Sequence, residues 1–214
     1  YYRLQYLRST DGGATWNGPS NLSDSGGTWH PHVATWENNI YVTYTDNRDA
    51  DGAEIYMNIS HDYGASWTGE FNISANNTHK ADWSHVATEE NRVVVVWGDD
   101  RDHPGEGRSV YLRLSEDNGT SWGEEKRITN ITDIGWYDDI PEQVIIKNET
   151  IYVLFGRAQE STGRVETMFM KSTSLGETWT TPTMLSQLDN WNSYPNSMAV
   201  EGDKISVVWE NASA

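Results

Sequence analysis

The sequence predicts an all-β fold: a β-propeller of four four-stranded antiparallel blades, one blade shared between the N- and C-terminal strands. Three observations carry this reading. An eight-residue signature, S-x-D-x-G-x-[ST]-W, recurs at residues 9–16, 60–67 and 115–122, and without its Asp at 172–179. Its tryptophans lie 51, 55 and 57 residues apart, and a fixed period of that size marks stacked supersecondary units. The last three copies each follow two runs rich in β-branched and aromatic residues, bounded by Gly, Asn and Asp, which read as strands. The chain also opens on a run of third-strand character and closes on one of second-strand character.

The elements follow in order within each unit. A short apolar stretch (Val33-Ala34, Val86-Ala87, residues 144–146, residues 198–200) follows a segment led by Trp29, Trp83, Trp136 or Trp191 and forms the first strand. The second strands are residues 40–44, 93–97, 151–155 and 205–209, and the third strands are 54–59, 109–114 and 166–171. A short fourth run follows each signature, as at 71–73 and 126–128. The blades are expected at about 24–74, 75–129, 130–186, and 187–214 plus 1–23 of a single domain. The last unit stops after its second strand, while residues 3–8 supply a third strand leading into the first signature. Joining the two removes two open sheet edges, a liability for any β protein. If chains exchange these strands instead, the same half-blades link neighbours in an assembly.

Composition narrows the function classes. The 214 residues include eleven Trp and eleven Tyr beside three Phe, rings that bury an apolar body and still hydrogen-bond. Thirty-two acidic and fifteen basic side chains give a net charge of −17, so nucleic acid is excluded as a partner by overall repulsion. No apolar run approaches the roughly 20 residues of a membrane helix, and membrane insertion is not expected. There is no cysteine. Asn-x-[ST] occurs eight times, and Asn58 (mid-strand) and Asn118 (in a signature turn) are poor acceptors. Asn21, Asn72, Asn76, Asn130 and Asn148 are the glycosylation candidates. Acidity and sequon density point to an extracellular or cell-surface setting. The start at Tyr1-Tyr2-Arg3 reads as a mature product or a segment of something longer.

The repeated signature resembles the Asp box, or BNR repeat, of sialidase-like β-propellers, and the resemblance spans the chain. The signature's own chemistry is structural. Asp11, Asp62 and Asp117 can accept backbone N–H bonds in a tight turn. Gly13, Gly64, Gly119 and Gly176 permit positive φ, and Trp16, Trp67, Trp122 and Trp179 pack into the blade. The resemblance implies that these boxes sit away from any active face.

In an up-and-down blade, the opposite face collects the lead-in to the first strand and the loop between strands two and three. Functional residues concentrate on such loops. There the sequence places Trp29, His32, Trp83, His85, Trp136, Asp138, Asp139, Trp191 and Tyr194, with Arg48 and Arg101 in aligned D-x-R-D turns and Arg157 nearby. One reading makes each Asp-x-Arg a turn bracket and each Trp a strand cap. The other makes a polar, Trp-rimmed cup for a glycan or protein ligand. His32 and His85 occupy matching positions, with Glu142 and Asn196 close to register, though two His with mixed partners are no zinc signature. Asn47, Asp49 and Asp51 alternate before Gly52 as in part of a calcium loop. No cofactor is required, and calcium is the one the sequence offers.

The sialidase resemblance implies an alternative, a sialidase-type glycoside hydrolase. Arg48, Arg101 and Arg157 would converge on a carboxylate, with Tyr137, Asp138 and Asp139 nearby. The R-I-P-type segment of such enzymes is absent. The favoured reading is a non-catalytic extracellular module with a structural, adhesive or glycan- or protein-binding role. Copies of the chain in a surface assembly are a further possible partner.

Overall fold

The structure, a computed structural model, describes residues 2–24, 26–48, 52–74, 78–130 and 135–213. Among them are sixteen strands and no helix. β1 (Gln5–Arg8) and β2 (Asn17–Asn21) form a two-stranded sheet. Three four-stranded blades follow. The first is β3 (Thr28–Trp36), β4 (Asn39–Asp46), β5 (Glu54–Ser60) and β6 (Phe71–Asn72). The second is β7 (Ala81–Glu89), β8 (Arg92–Asp99), β9 (Ser109–Ser115) and β10 (Lys126–Arg127). The third is β11 (Trp136–Lys147), β12 (Thr150–Gln159), β13 (Val165–Ser172) and β14 (Thr183–Met184). β15 (Trp191–Glu201) and β16 (Lys204–Ser213) form a second two-stranded sheet. Within each sheet the strands pair antiparallel in chain order.

The second strands are the blade centres because both their faces are apolar: Val93 to Trp97 of β8 and Ile151, Val153, Leu154 and Phe155 of β12 are all fully buried. Apolar slabs form between successive blades. One slab joins Tyr41, Ile55, Met57 and Ile59 to Val86, Val93, Val95 and Trp97. The next joins Val94, Val96, Val110 and Leu112 to Val144, Ile151, Val153 and Phe155. A smaller one packs Leu4 and Leu22 of the N-terminal half-blade on Val42 and Tyr44. The same backbone bond ties each unit to the next: Thr28 N–H to Tyr2 O (3.2 Å), Ala81 to Ala53 (2.7 Å), Asp139 to Arg108 (2.8 Å). The third strands repeat a cap, in which the N–H of Leu4, Ile55, Val110 and Thr167 donates to a hydroxyl of Ser23, Ser74, Thr129 and Ser186 (2.8–3.0 Å).

All four innermost strands carry a one-residue bulge, between Trp29 and His32, Asp82 and His85, Pro141 and Gln143, and Pro195 and Ser197. Proline, which cannot donate to a ladder, stands at Pro31, Pro141 and Pro195 of these bulges. His30 and Trp83 take φ of 49° and 58° there.

The ends differ from expectation. β1 pairs with β2 and β16 with β15, and no ladder joins β1 to β16. The fourth blade is therefore present as two halves. The N-terminal half packs on the first blade, and the C-terminal half on the third, through Val165 N–H to Asn192 Oδ1 and Met198 N–H to Gln143 Oε1.

Candidate functional site on the lead-in face

The signature turns occupy the other face. In each, the Ser hydroxyl accepts the Gly N–H (Ser9–Gly13, Ser60–Gly64 and Ser115–Gly119 at 2.8 Å, Ser172–Gly176 at 2.9 Å). Asp11, Asp62 and Asp117 bind the hydroxyl and N–H of Thr15, Ser66 and Ser121 (2.6–2.9 Å). Those hydroxyl bonds, with the N–H bonds beside them, hold the Asp11 and Asp62 carboxyls down at about 2. Ser174 takes the same place, accepting Thr178 N–H at 2.9 Å. The first-to-second-strand hairpin shares this face, since Tyr63 and Asn118 N–H reach Asn38 O and Asn91 O (2.8 Å). Trp67, Trp122 and Trp179 each pack on the preceding unit, and Trp122 and Trp179 donate to Gly119 O and Gly176 O.

On the lead-in face, the aligned arginines do not converge. Arg48 lies over the Tyr56 ring (4.1 Å) and binds Asp46 (2.7 Å) and Glu70 (2.6 Å). Arg101 lies over Tyr111 (4.5 Å) and binds Asp99 (2.5 Å), Ser74 O (2.8 Å) and Glu125. Arg157 is buried with Asp139 in a two-pronged pair (2.6 and 2.7 Å). Each guanidinium is closed on a carboxylate of its own blade; Arg48 and Arg101 bracket their turns, and Arg157 pairs across β11 and β12. Burial pushes the Asp139 carboxyl up even against Arg157.

Glu70 and Glu125 are partners that sequence reasoning missed, and a signal for them existed. Each stands three residues after its blade's signature tryptophan, in the two blades that carry D-x-R-D. The units lacking that turn have Pro182 and Pro19 there. Arg108 was missed as well: it grips Asp138 through Nε and a terminal nitrogen (3.0 and 2.9 Å), and its own N–H binds the same carboxylate (2.9 Å). Asp138 is thus an inter-blade tie.

The structure does bring together Trp29, His32, Trp83 and His85. Asp82, nearly inaccessible, collects Trp29 Nε1 (3.1 Å), His30 Nδ1 (2.9 Å), the Thr45 hydroxyl (2.9 Å) and Trp83 N–H (2.8 Å). Burial pushes this carboxyl up, and the bonds from His30, Thr45 and Trp83 more than offset it, leaving it below its ordinary value. The His30 ring stacks on Trp83 at 3.8 Å. The His32 and His85 rings meet edge-on at 4.8 Å, and His32 Nδ1 accepts Val86 N–H at 3.3 Å. Their register partners are Gln143 and Ser197, because Glu142 and Asn196 are the bulged residues. Gln143 repeats the His32 role by accepting Met198 N–H. These side chains stitch the first strands of successive units together, and no group of three or more His, Asp or Glu able to hold a metal occurs among the described residues. Burial, with His32 and His30 close by, pushes His85 down to about 3, and burial pushes Glu142 up to about 7.

Asp49, Asp51 and Asn76 lie outside the described residues, and Asn47 N–H binds Gly27 O at 3.3 Å. Asn21, Asn130 and Asn148 are exposed, while Asn72 is half-buried with its oxygen held by Ser74. Trp136 is half-buried at the start of β11. The lead-ins of the third blade and the C-terminal half-blade present open rings: Tyr137 is 37% exposed, Trp191 46% and Tyr194 45%.

No protein-family model and no curated protein matches the sequence. Solved structures match its fold. The Hadza microbial sialidase Hz136 superposes on 79% of the chain with a TM-score of 0.60 at 17% identity, over 39% of its own length. A Trypanosoma rangeli sialidase in complex with sialic acid matches 97% of the chain (TM-score 0.62, 14% identity), over 38% of its length. The endo-arabinase from Bacteroides thetaiotaomicron matches 99% of the chain and 86% of its own (TM-score 0.57, 11% identity). The chain has the fold of these glycosidase propellers, and it spans well under half the length of the two sialidases. Among its described residues no helix is long and apolar enough to cross a membrane.

Proposed function

We propose that the chain is a non-catalytic glycan-binding propeller module working outside the cell. Tyr137, Trp191 and Tyr194 would form the platform for the sugar. The observation that carries this reading is the contrast on one face: three aromatic rings stand open at neighbouring lead-ins, while Arg48, Arg101 and Arg157 are each closed on carboxylates. Flat rings offer apolar area to the C–H faces of a pyranose, and the Tyr hydroxyl and Trp N–H remain for its edges. An arginine already paired with a carboxylate of its own blade has little to offer a substrate carboxylate. The glycosidase neighbours lend support at the level of fold alone.

The test is a glycan array followed by calorimetry on the best ligand, beside turnover of a fluorogenic sialoside. Binding without turnover is expected. Trp191→Ala or Tyr194→Ala should weaken binding about tenfold or more, the scale of one stacked ring at about 1.4 kcal/mol. Sialoside turnover abolished by Arg101→Ala would establish the hydrolase instead. Binding unaffected by either aromatic substitution would remove the platform.

A further inference from the structure

Phe71 of β6, Lys126 of β10 and Thr183 of β14 hold the same place in their blades, opposite Met57, Leu112 and Phe169 of the third strands. Phe71 sets its ring beside Trp122 of the next blade (6.5 Å) and so fills the seam between the first and second blades. Lys126 cannot do the same. Its ammonium reaches out to Glu177 of the third blade (2.5 Å), and Gly123 stands where the first blade has Thr68. The seam between the second and third blades accordingly holds a cleft of about 660 Å³ beside the signature turns. Its floor is Leu112 and Leu114, with Leu175 of the third blade packed against the same cluster. Its rim carries Glu116, Asp117, Glu124 and Glu177, facing Lys126. Both flanking blades are complete four-stranded sheets.

We propose that this cleft docks a Lys- or Arg-rich segment of a partner protein. The aliphatic stems of its basic side chains lie on the leucine floor, and their charged heads meet the rim. Such side chains bury a stem while keeping the head in water, and an apolar floor under an acidic edge suits both parts. Charge selects this occupant. The Glu116 and Glu177 side chains are 64% and 72% exposed, and Glu116 has only a 3.9 Å contact with Arg92. Glu124 is exposed as well. Asp117 is closed in its turn by Ser115 and Ser121 and adds only its field. An exposed pair such as Lys126 with Glu177 contributes little, so an incoming cation can take Glu177 and let Lys126 swing aside. A second copy of this chain, at a net charge of −17, is repelled. So is an anionic glycan or lipid surface. The cleft lies on the signature-turn side, so the partner and a sugar on the lead-in face can be bound together.

Fluorescence anisotropy of the full chain with a short labelled arginine–leucine peptide tests this, beside a glutamate–leucine peptide of the same length. Saturable binding of the basic peptide, weakened by salt, and none of the acidic one are expected. Lys126→Phe installs the residue that the first blade carries at this place. Filling the cleft should weaken binding about tenfold or more, although the variant is more acidic than the wild type. Glu124→Lys with Glu177→Lys should do the same. Glu106→Lys with Glu160→Lys, an equal change at exposed sites away from the cleft, should leave binding near the wild-type value. Circular dichroism confirms that each variant is folded, and the two charge-reversal pairs decide the matter if Lys126→Phe is not. Binding kept or tightened by Lys126→Phe, or lost equally in both charge-reversal pairs, would mean attraction to the general negative charge and would overturn the proposal. An absence of saturable binding by the basic peptide would overturn it outright.

Discussion

Glu142 directly follows Pro141, whose carbonyl the His85 ring bonds, yet the two groups pull stability in opposite directions with pH. Glu142 is raised to about 7, so the folded chain holds its proton longer than the unfolded chain does. Its contribution is full below about 4.5 and lost as pH rises through 7. His85 is lowered to about 3, so the unfolded chain takes up a proton first, and stability falls as pH drops from about 6.5 towards 3. Glu142→Gln should therefore raise the melting temperature at pH 8 and leave it unchanged at pH 4, measured by thermal scans in matched buffers. In the signature turns the glycine matters more than the acid. A Cβ on Gly119 would meet Ile59 Cδ1 at 2.5 Å with φ at +81°. Gly119→Ala should cost about 2 kcal/mol or more by urea unfolding. Asp62→Ser should cost less, because Ser174 already fills that role.

At the scale of the strand, the buried Asp139–Arg157 pair across β11 and β12 sets the clearest expectation. Arg157→Ala leaves a carboxylate inaccessible and unpaired and should cost about 3–5 kcal/mol. The double change Asp139→Asn with Arg157→Met should recover much of it, read as midpoints in urea at constant slope. The strands themselves were legible in the sequence: all four second-strand runs, and the turns after the third strands, stand where period and residue type put them. What sequence missed were partners distant along the chain. Arg48 looked available because Glu70 is 22 residues away, and Arg108 drew no notice because its carboxylate, Asp138, is 30 residues on. The His32 register slipped by one for a local reason: a bulge adds a residue without changing the pattern of residue types. Comparing the repeats with one another would have exposed Glu70 and Glu125, so some of that loss was avoidable.

For the whole molecule, the all-β propeller architecture followed from the period, while the joining of the ends did not. Strand complementarity is a property of sequence, but whether two distant strands meet is decided by packing between all the blades, which no single blade reveals. Contacts between units run strictly in chain order, and each of Trp67, Trp122 and Trp179 packs on the unit made before it. Every blade thus brings its own wedge to a surface already finished. Such a chain is suited to assembly during synthesis, one increment at a time from the amino end, with no long-range closure needed before the first hydrophobic surface is covered.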